Sequence, residues 1–118
     1  MMDAHPPKDR DRIVNSLREL EGDLIEFIDA VADATQTVEL DQGQQGRLSR
    51  IDAMQAQKMA EAQRRRARVR LTRVRNVLAM EDDEDFGCCG DCGETIPLKR
   101  LLVRPDSVLC VECTEARE

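Results

Sequence analysis

The sequence has no tryptophan, no tyrosine and only two phenylalanines. A large core built around aromatic rings is excluded, and so is a platform on which single-stranded bases stack. It has one histidine, His5, beside Pro6-Pro7. With no nucleophile–base arrangement around it, nothing in the sequence proposes a reaction, and the chain is expected not to be an enzyme. No run approaches the ~20 apolar residues that a membrane span needs. The opening MMDAHPPKDRDR has no apolar leader core, so a cytoplasmic location is expected and no membrane partner. Cationic excess is missing as well. The net charge is -6, which argues against a general or sequence-specific DNA binder.

What is present is charge, helix-forming composition and a cluster of cysteines. Charged residues make up 36% of the 118, a share that points to long solvated helices. From about Lys8 to Leu40 there is no proline. Ile13, Leu17, Leu20, Leu24, Phe27, Val31, Ala34 and Val38 alternate at spacings of four and three, the stripe of a coiled-coil seam. The stretch LDQGQQGRLS then breaks the pattern as a turn. Helical composition resumes from about Arg47 to Glu84, where Ala53, Ala56, Ala60, Ala67, Leu71, Val74 and Leu78 share a face and Gln63 fills a gap.

Small residues facing large ones suit two closely packed helices, so an antiparallel hairpin is expected. Each arm would be roughly 45–55 Å long at ~1.5 Å per residue. The expected fold class is mainly α: a long antiparallel two-helix coiled coil plus a small C-terminal four-cysteine zinc finger. The expected divisions are an irregular tail over 1–7, the hairpin over 8–84 with its tip near 39–46, and the finger over 85–118. Leu48, Ile51 and Met54 lie off the alanine stripe. They either complete the packing near the turn or form an exposed apolar contact surface.

Seven arginines, Arg64, Arg65, Arg66, Arg68, Arg70, Arg73 and Arg75, fall within twelve residues with no acid among them. They either pair with acids of the first helix, such as Glu19, Glu21, Asp23 and Glu26, or offer a site for phosphate or an acidic partner. The run Glu81 to Asp85 reads as a solvated hinge.

All five cysteines lie between Cys88 and Cys113. Reduced cysteines of the cytoplasm favour metal binding or redox work over disulfides. Cys89-x-x-Cys92 and Cys110-x-x-Cys113 are separated by 17 residues. Two such knuckles supply four thiolates to a tetrahedral zinc at ~2.3 Å. Gly93 allows the tight turn of the first knuckle. Four closed ligands leave no open coordination position, so the zinc is expected to be structural. It would also supply most of the folding energy of a segment too short to bury much apolar surface. Cys88 is the fifth cysteine, a bystander or an oxidant sensor beside the metal.

The stretch Phe86-Gly-Cys-Cys-x-x-Cys-Gly93, with Ile96, Arg100-Leu101, Arg104-Pro105 and Leu109-Cys110-Val111-x-Cys113, resembles the four-cysteine finger of the DksA/TraR family of bacterial transcription regulators. The resemblance covers about residues 84–118 at motif level and the rest as architecture. It implies direct binding to RNA polymerase, with the coiled-coil tip inserted in the secondary channel and acidic tip residues near the catalytic magnesium. The family's tip pattern Asp-x-x-Asp-x-Ala does not occur at the turn. Glu39 and Asp41 are the acids at that place, and Asp52-Ala53 resembles the end of the pattern further along. The resemblance also implies a ppGpp site, for which Arg73, Arg100 and Arg104 occupy matching positions. The basic residue expected after the last cysteine is Thr114 here. The alternative function is a zinc-stapled coiled-coil adaptor that binds another protein through its apolar residues.

Overall fold

The computed structural model describes residues 5–41 and 47–117, with side chains over 5–32 and 50–117. The chain is helical: α1 spans Pro7–Asp41, α2 Arg47–Leu78, α3 Leu98–Val103 and α4 Val111–Arg117. No strand occurs among the described residues, and the one extended pairing is an isolated antiparallel bridge between Cys88 and Thr95. No described helix is long and apolar enough to cross a membrane. The chain forms two compact units, one of Met1–Glu21 with Thr72–Glu118 and one of Gly22–Leu71.

Among the described residues of the second unit, the buried apolar ones are Leu24 and Ile28 from α1, with Ala67 and Leu71 from α2. The seam differs by one position from the heptad reading. Phe27, placed in the stripe, is 41% exposed, and Ile28 is buried instead. A straight helix turns once every 3.6 residues, so its inner face drifts forward relative to a strict seven-residue repeat. The same shift operates on α2. Ala56 and Gln63 are exposed, whereas Gln57 and Arg64 are half-buried on the face of Ala60, Ala67 and Leu71. Arg64 brings a cost with it, because its Nε is buried without a hydrogen-bond partner. Ala34 and Val38 lie outside the described side chains, as does Leu48. Ile51 and Met54 are exposed at 44% and 49%.

In the first unit the start of α1 lies against the end of α2 and the C-terminal module. Ile13, Leu17, Val74, Phe86, Ile96 and Leu101 form its buried apolar core. α2 ends at Leu78, short of Glu84, where helical composition runs out. Beyond it the backbone tightens into turns, with Met80 N–H donating to the Val77 carbonyl and Glu81 N–H to that of Leu78. The run Glu81 to Asp85 supplies the reason. Carboxylates at the negative end of a helix dipole oppose its continuation.

The carbonyls released there find a cation. Arg10 donates to the carbonyls of Glu81 and Asp83 and sits over the Phe86 ring, 5.3 Å from its centre. Surface pairs between Arg18 and Glu81 and between Arg75 and Glu21 add to the same junction, each a small contribution while exposed to solvent.

His5 is packed here too. It is 5% exposed and lies on Gly87, whose φ of 85° is a left-handed value that glycine adopts most readily. A Cβ at Gly87 would lie 2.5 Å from His5 Cδ2, so this contact also requires glycine.

The seam register can be measured. Ile28→Ala should destabilise the protein by about 2–5 kcal/mol, the usual cost of truncating a buried aliphatic side chain. Phe27→Ala should cost less than half of that. Urea unfolding followed by circular dichroism compares the two, and a larger loss for Phe27→Ala would restore the strict heptad.

Candidate functional site

The cysteine module is assembled by short local devices. Phe86, buried at 3% exposure, anchors its start. Cys89 N–H donates to the Glu94 carbonyl at 2.8 Å, and Gly93 N–H to the Cys89 carbonyl at 3.0 Å. These bonds fold residues 89–94 into a knuckle, and Gly93 takes the φ of 78° that closes it. The second knuckle is the entry to α4. Cys110 directly precedes the helix and Cys113 follows one turn later. Thr114 Oγ1 donates back to the Cys110 carbonyl at 2.9 Å. Gly90 N–H joins the two knuckles through the Val108 carbonyl at 2.8 Å. An exposed two-pronged pair between Arg117 and Asp91 ties α4 to the first knuckle, at 2.7 and 3.0 Å.

The outcome is a cluster of four sulfurs. The Sγ atoms of Cys89, Cys92, Cys110 and Cys113 all lie within 4.8 Å of one another. The Cys92 and Cys110 sulfurs are 3.7 Å apart. A tetrahedron of thiolates at ~2.3 Å from zinc has edges of roughly 3.8 Å, so the arrangement fits that ion. The electrostatics fit as well. Backbone N–H groups, first that of Cys92 and then that of Cys110, bring the Cys89 thiol down to about 6. The Cys113 thiol is pushed up, first by the Cys110 sulfur and then by that of Cys89. Four thiolates this close repel one another, and a dication at their centre removes the conflict. Cys88 lies outside the cluster, half-buried and engaged through the bridge to Thr95. His5 lies outside it too.

A second feature lies in the same unit. Arg73, Arg100 and Arg104, three positions singled out from the sequence, line one cavity of about 310 Å³ together with Asp106 and Thr114. Arg73 reaches it from α2, Arg100 from α3, and Arg104 from the residue that ends α3. Asp106 is 2% exposed and accepts from Arg73 at 3.3 Å. Arg100 donates to Thr114 Oγ1 at 3.4 Å, while its Nε has no partner. Three guanidiniums against one carboxylate leave the cavity cationic, suited to an anion held by forked hydrogen bonds. Glu39 and Asp41 belong to α1, but their side chains lie outside those described. Asp52 is exposed on α2.

Sequence reasoning passed over Arg10 and Asp106. Each is a single charge whose partner lies far along the chain. The one local signal was Asp106 following the Arg104-Pro105 pair.

A closed four-cysteine centre on a helical framework defines a structural zinc-finger protein. Residues 84–118 match the prokaryotic dksA/traR C4-type zinc finger. The chain is similar to the RNA polymerase-binding transcription factor DksA of Salmonella typhimurium and of Escherichia coli strain K12. Each is 38% identical over 55 residues, which are 47% of this chain and 36% of the relative. The same protein of Haemophilus influenzae is 38% identical over 55 residues, 38% of its length. The match thus spans little more than a third of these curated relatives. Among solved structures, transcription factor DksA2 from Pseudomonas aeruginosa superposes with a TM-score of 0.79 at 22% identity. It covers 94% of this chain and 84% of the other, a likeness of fold.

Zinc removal tests the centre. A strong chelator should unfold the finger and leave most of the far-ultraviolet helical signal, because α1 and α2 have their own seam. Cys113→Ser should lose the zinc, and Cys88→Ser should retain one equivalent by metal analysis. Zinc loss in Cys88→Ser would give Cys88 a ligand's place.

Proposed function

We propose that the protein binds RNA polymerase directly and modulates transcription, with its finger held by structural zinc and its helical hairpin as the inserting element. The observation that carries this reading is the DksA/TraR-type finger joined to a fold that superposes on DksA2 over nearly the whole chain. The matched relatives are named as RNA polymerase-binding transcription factors, which supports polymerase as the partner and a non-enzymatic, cytoplasmic role.

In this reading the segment that joins α1 and α2 enters the secondary channel. Glu39 and Asp41 are its acids, and a carboxylate close to the catalytic Mg²⁺ alters the ion's surroundings because hard cations take oxygen ligands. The cavity of Arg73, Arg100 and Arg104 is the place for ppGpp. Its three arginines would share a phosphate-rich ligand, with Thr114 offering a hydroxyl where a further cation is absent. Arg73 is already engaged by Asp106, so an incoming phosphate competes with a buried carboxylate for that guanidinium.

One observation favours a second reading. Ile51, Met54 and Met59 of α2 are 44%, 49% and 65% exposed, an apolar content that would serve an adaptor for a different protein.

The test is a titration of the zinc-loaded protein against its own core RNA polymerase, with a known secondary-channel factor as competitor. Mutual displacement is expected. Absence of binding at micromolar concentrations would leave the adaptor reading in its place. Asp41→Asn should retain polymerase affinity within about twofold, a difference of under 0.5 kcal/mol, and change transcript yield from a sensitive promoter. An unchanged yield would remove Asp41 from the tip role.

A further inference from the structure

The arginine run of α2 is answered by acids at one end. Arg75 pairs with Glu21 and Arg73 with Asp106, all within the first unit. The other end of the run lies in the second unit. There Arg64, Arg65 and Arg68 line a cavity of about 280 Å³, and Glu61 is the one carboxylate that lines it with them. Arg65 and Arg68 are exposed, and Arg64 is half-buried with its Nε buried and without a hydrogen-bond partner. An aliphatic side chain at position 64 would occupy the same helix face with no orphaned donor. Arg64 and Arg68 are four residues apart, Arg65 and Arg68 three. Those are the separations at which helix side chains are neighbours, and like charges placed so oppose the helix.

Three guanidiniums against one carboxylate leave two positive charges. A guanidinium only donates hydrogen bonds, so the occupant must be an anion rich in acceptors. A carboxylate brings one charge and two oxygens. A phosphate group brings close to two charges and three oxygens, which answers both the surplus charge and the orphaned Nε–H. The cavity is smaller than the ~300–1,000 Å³ of ordinary ligand sites, a size that suits a phosphate or diphosphate group. No aromatic ring lines it, so a nucleic acid would find no surface there on which to stack a base.

We propose that Arg64, Arg65 and Arg68 form a binding site for the phosphate or diphosphate group of a small molecule. The site is separate in its residues from the zinc centre and from the cavity of Arg73, Arg100 and Arg104, and it does not depend on the polymerase-binding reading. Arg64 supplies the buried Nε–H. Arg65 and Arg68 supply charge from the solvent side, and an anion between them removes their mutual repulsion.

The test follows the arginine Nε–H resonances of the full, zinc-loaded, ¹⁵N-labelled chain while inorganic diphosphate is added at constant ionic strength. The Arg64 signal should shift and saturate, with half-saturation below about 1 mM. Arg68→Gln should weaken the binding about tenfold, the usual worth of one charge-assisted hydrogen bond. Arg64→Lys, which keeps the charge and loses the fork, should weaken it as well. A non-saturating shift that chloride reproduces would reveal only a counterion atmosphere and overturn the site. Saturation confined to Arg73, Arg100 and Arg104 would overturn it too. An equal response to acetate would overturn the assignment to phosphate. Tighter binding of oligothymidylate at matched phosphate concentration would transfer the site to a nucleic-acid backbone and overturn the small-molecule source. The wild-type titration alone decides the question should a variant fold poorly.

Discussion

Four sulfur atoms drawn within 4.8 Å of one another are the constraint on which the finger depends. They come from two places in the sequence, and neither place alone has the apolar content to hold the other. Cys89 is the one ligand buried at 3% exposure, and the knuckle bonds bring backbone N–H groups toward the cluster. Without a cation the arrangement conflicts with itself, since backbone N–H groups lower the Cys89 thiol while the neighbouring sulfurs raise that of Cys113. Zinc turns the conflict into binding, and that binding free energy is folding free energy for a module of this size. The position of α4, and of the cavity beside it, follows from this closure.

A second constraint ties the module to the helices. α2 stops where acidic residues meet its negative end, and the carbonyls left over are taken by Arg10 from the start of α1. The same guanidinium lies over Phe86, the residue that enters the finger. His5 fills the space above Gly87 that a side chain would otherwise need. One arginine, one histidine and one glycine thus set the junction in the unit that contains both chain ends.

The zinc ligands were legible in the sequence because a knuckle is local. Two residues between cysteines and a glycine after them already describe the turn. The two long helices, α1 and α2, were legible for the same reason, since helix period is read within one segment; the tip expected near 39–46 falls largely on residues 42–46, outside those described. The register was not. A seven-residue repeat and a 3.6-residue turn agree over one heptad and diverge over four, which exchanged Phe27 for Ile28 and Ala56 for Gln57. Arg10 and Asp106 escaped for a different reason. Their partners lie 71 and 33 residues away, and a lone charge carries no mark of a distant partner. His5 looked like part of a loose tail because Gly87, on which it packs, becomes its neighbour only in the fold.

Three arginines and one carboxylate line a cavity in each unit, and the two cavities differ in how that carboxylate is held. In the first unit it is Asp106, which is 2% exposed and occupies Arg73. An anion that drew Arg73 away would leave a buried charge short of a partner, and such a charge is costly. Thr114 weighs on the same balance. It anchors Arg100 through a neutral hydroxyl, so no additional cation strengthens the hold on an anion. Both residues leave Arg100 and Arg104 as that cavity's freest cations. In the second unit the carboxylate is Glu61, which is exposed. Water solvates it whether or not a phosphate takes the guanidiniums, so its displacement costs little. The orphaned group there is a donor, the Nε of Arg64, and an anion satisfies it.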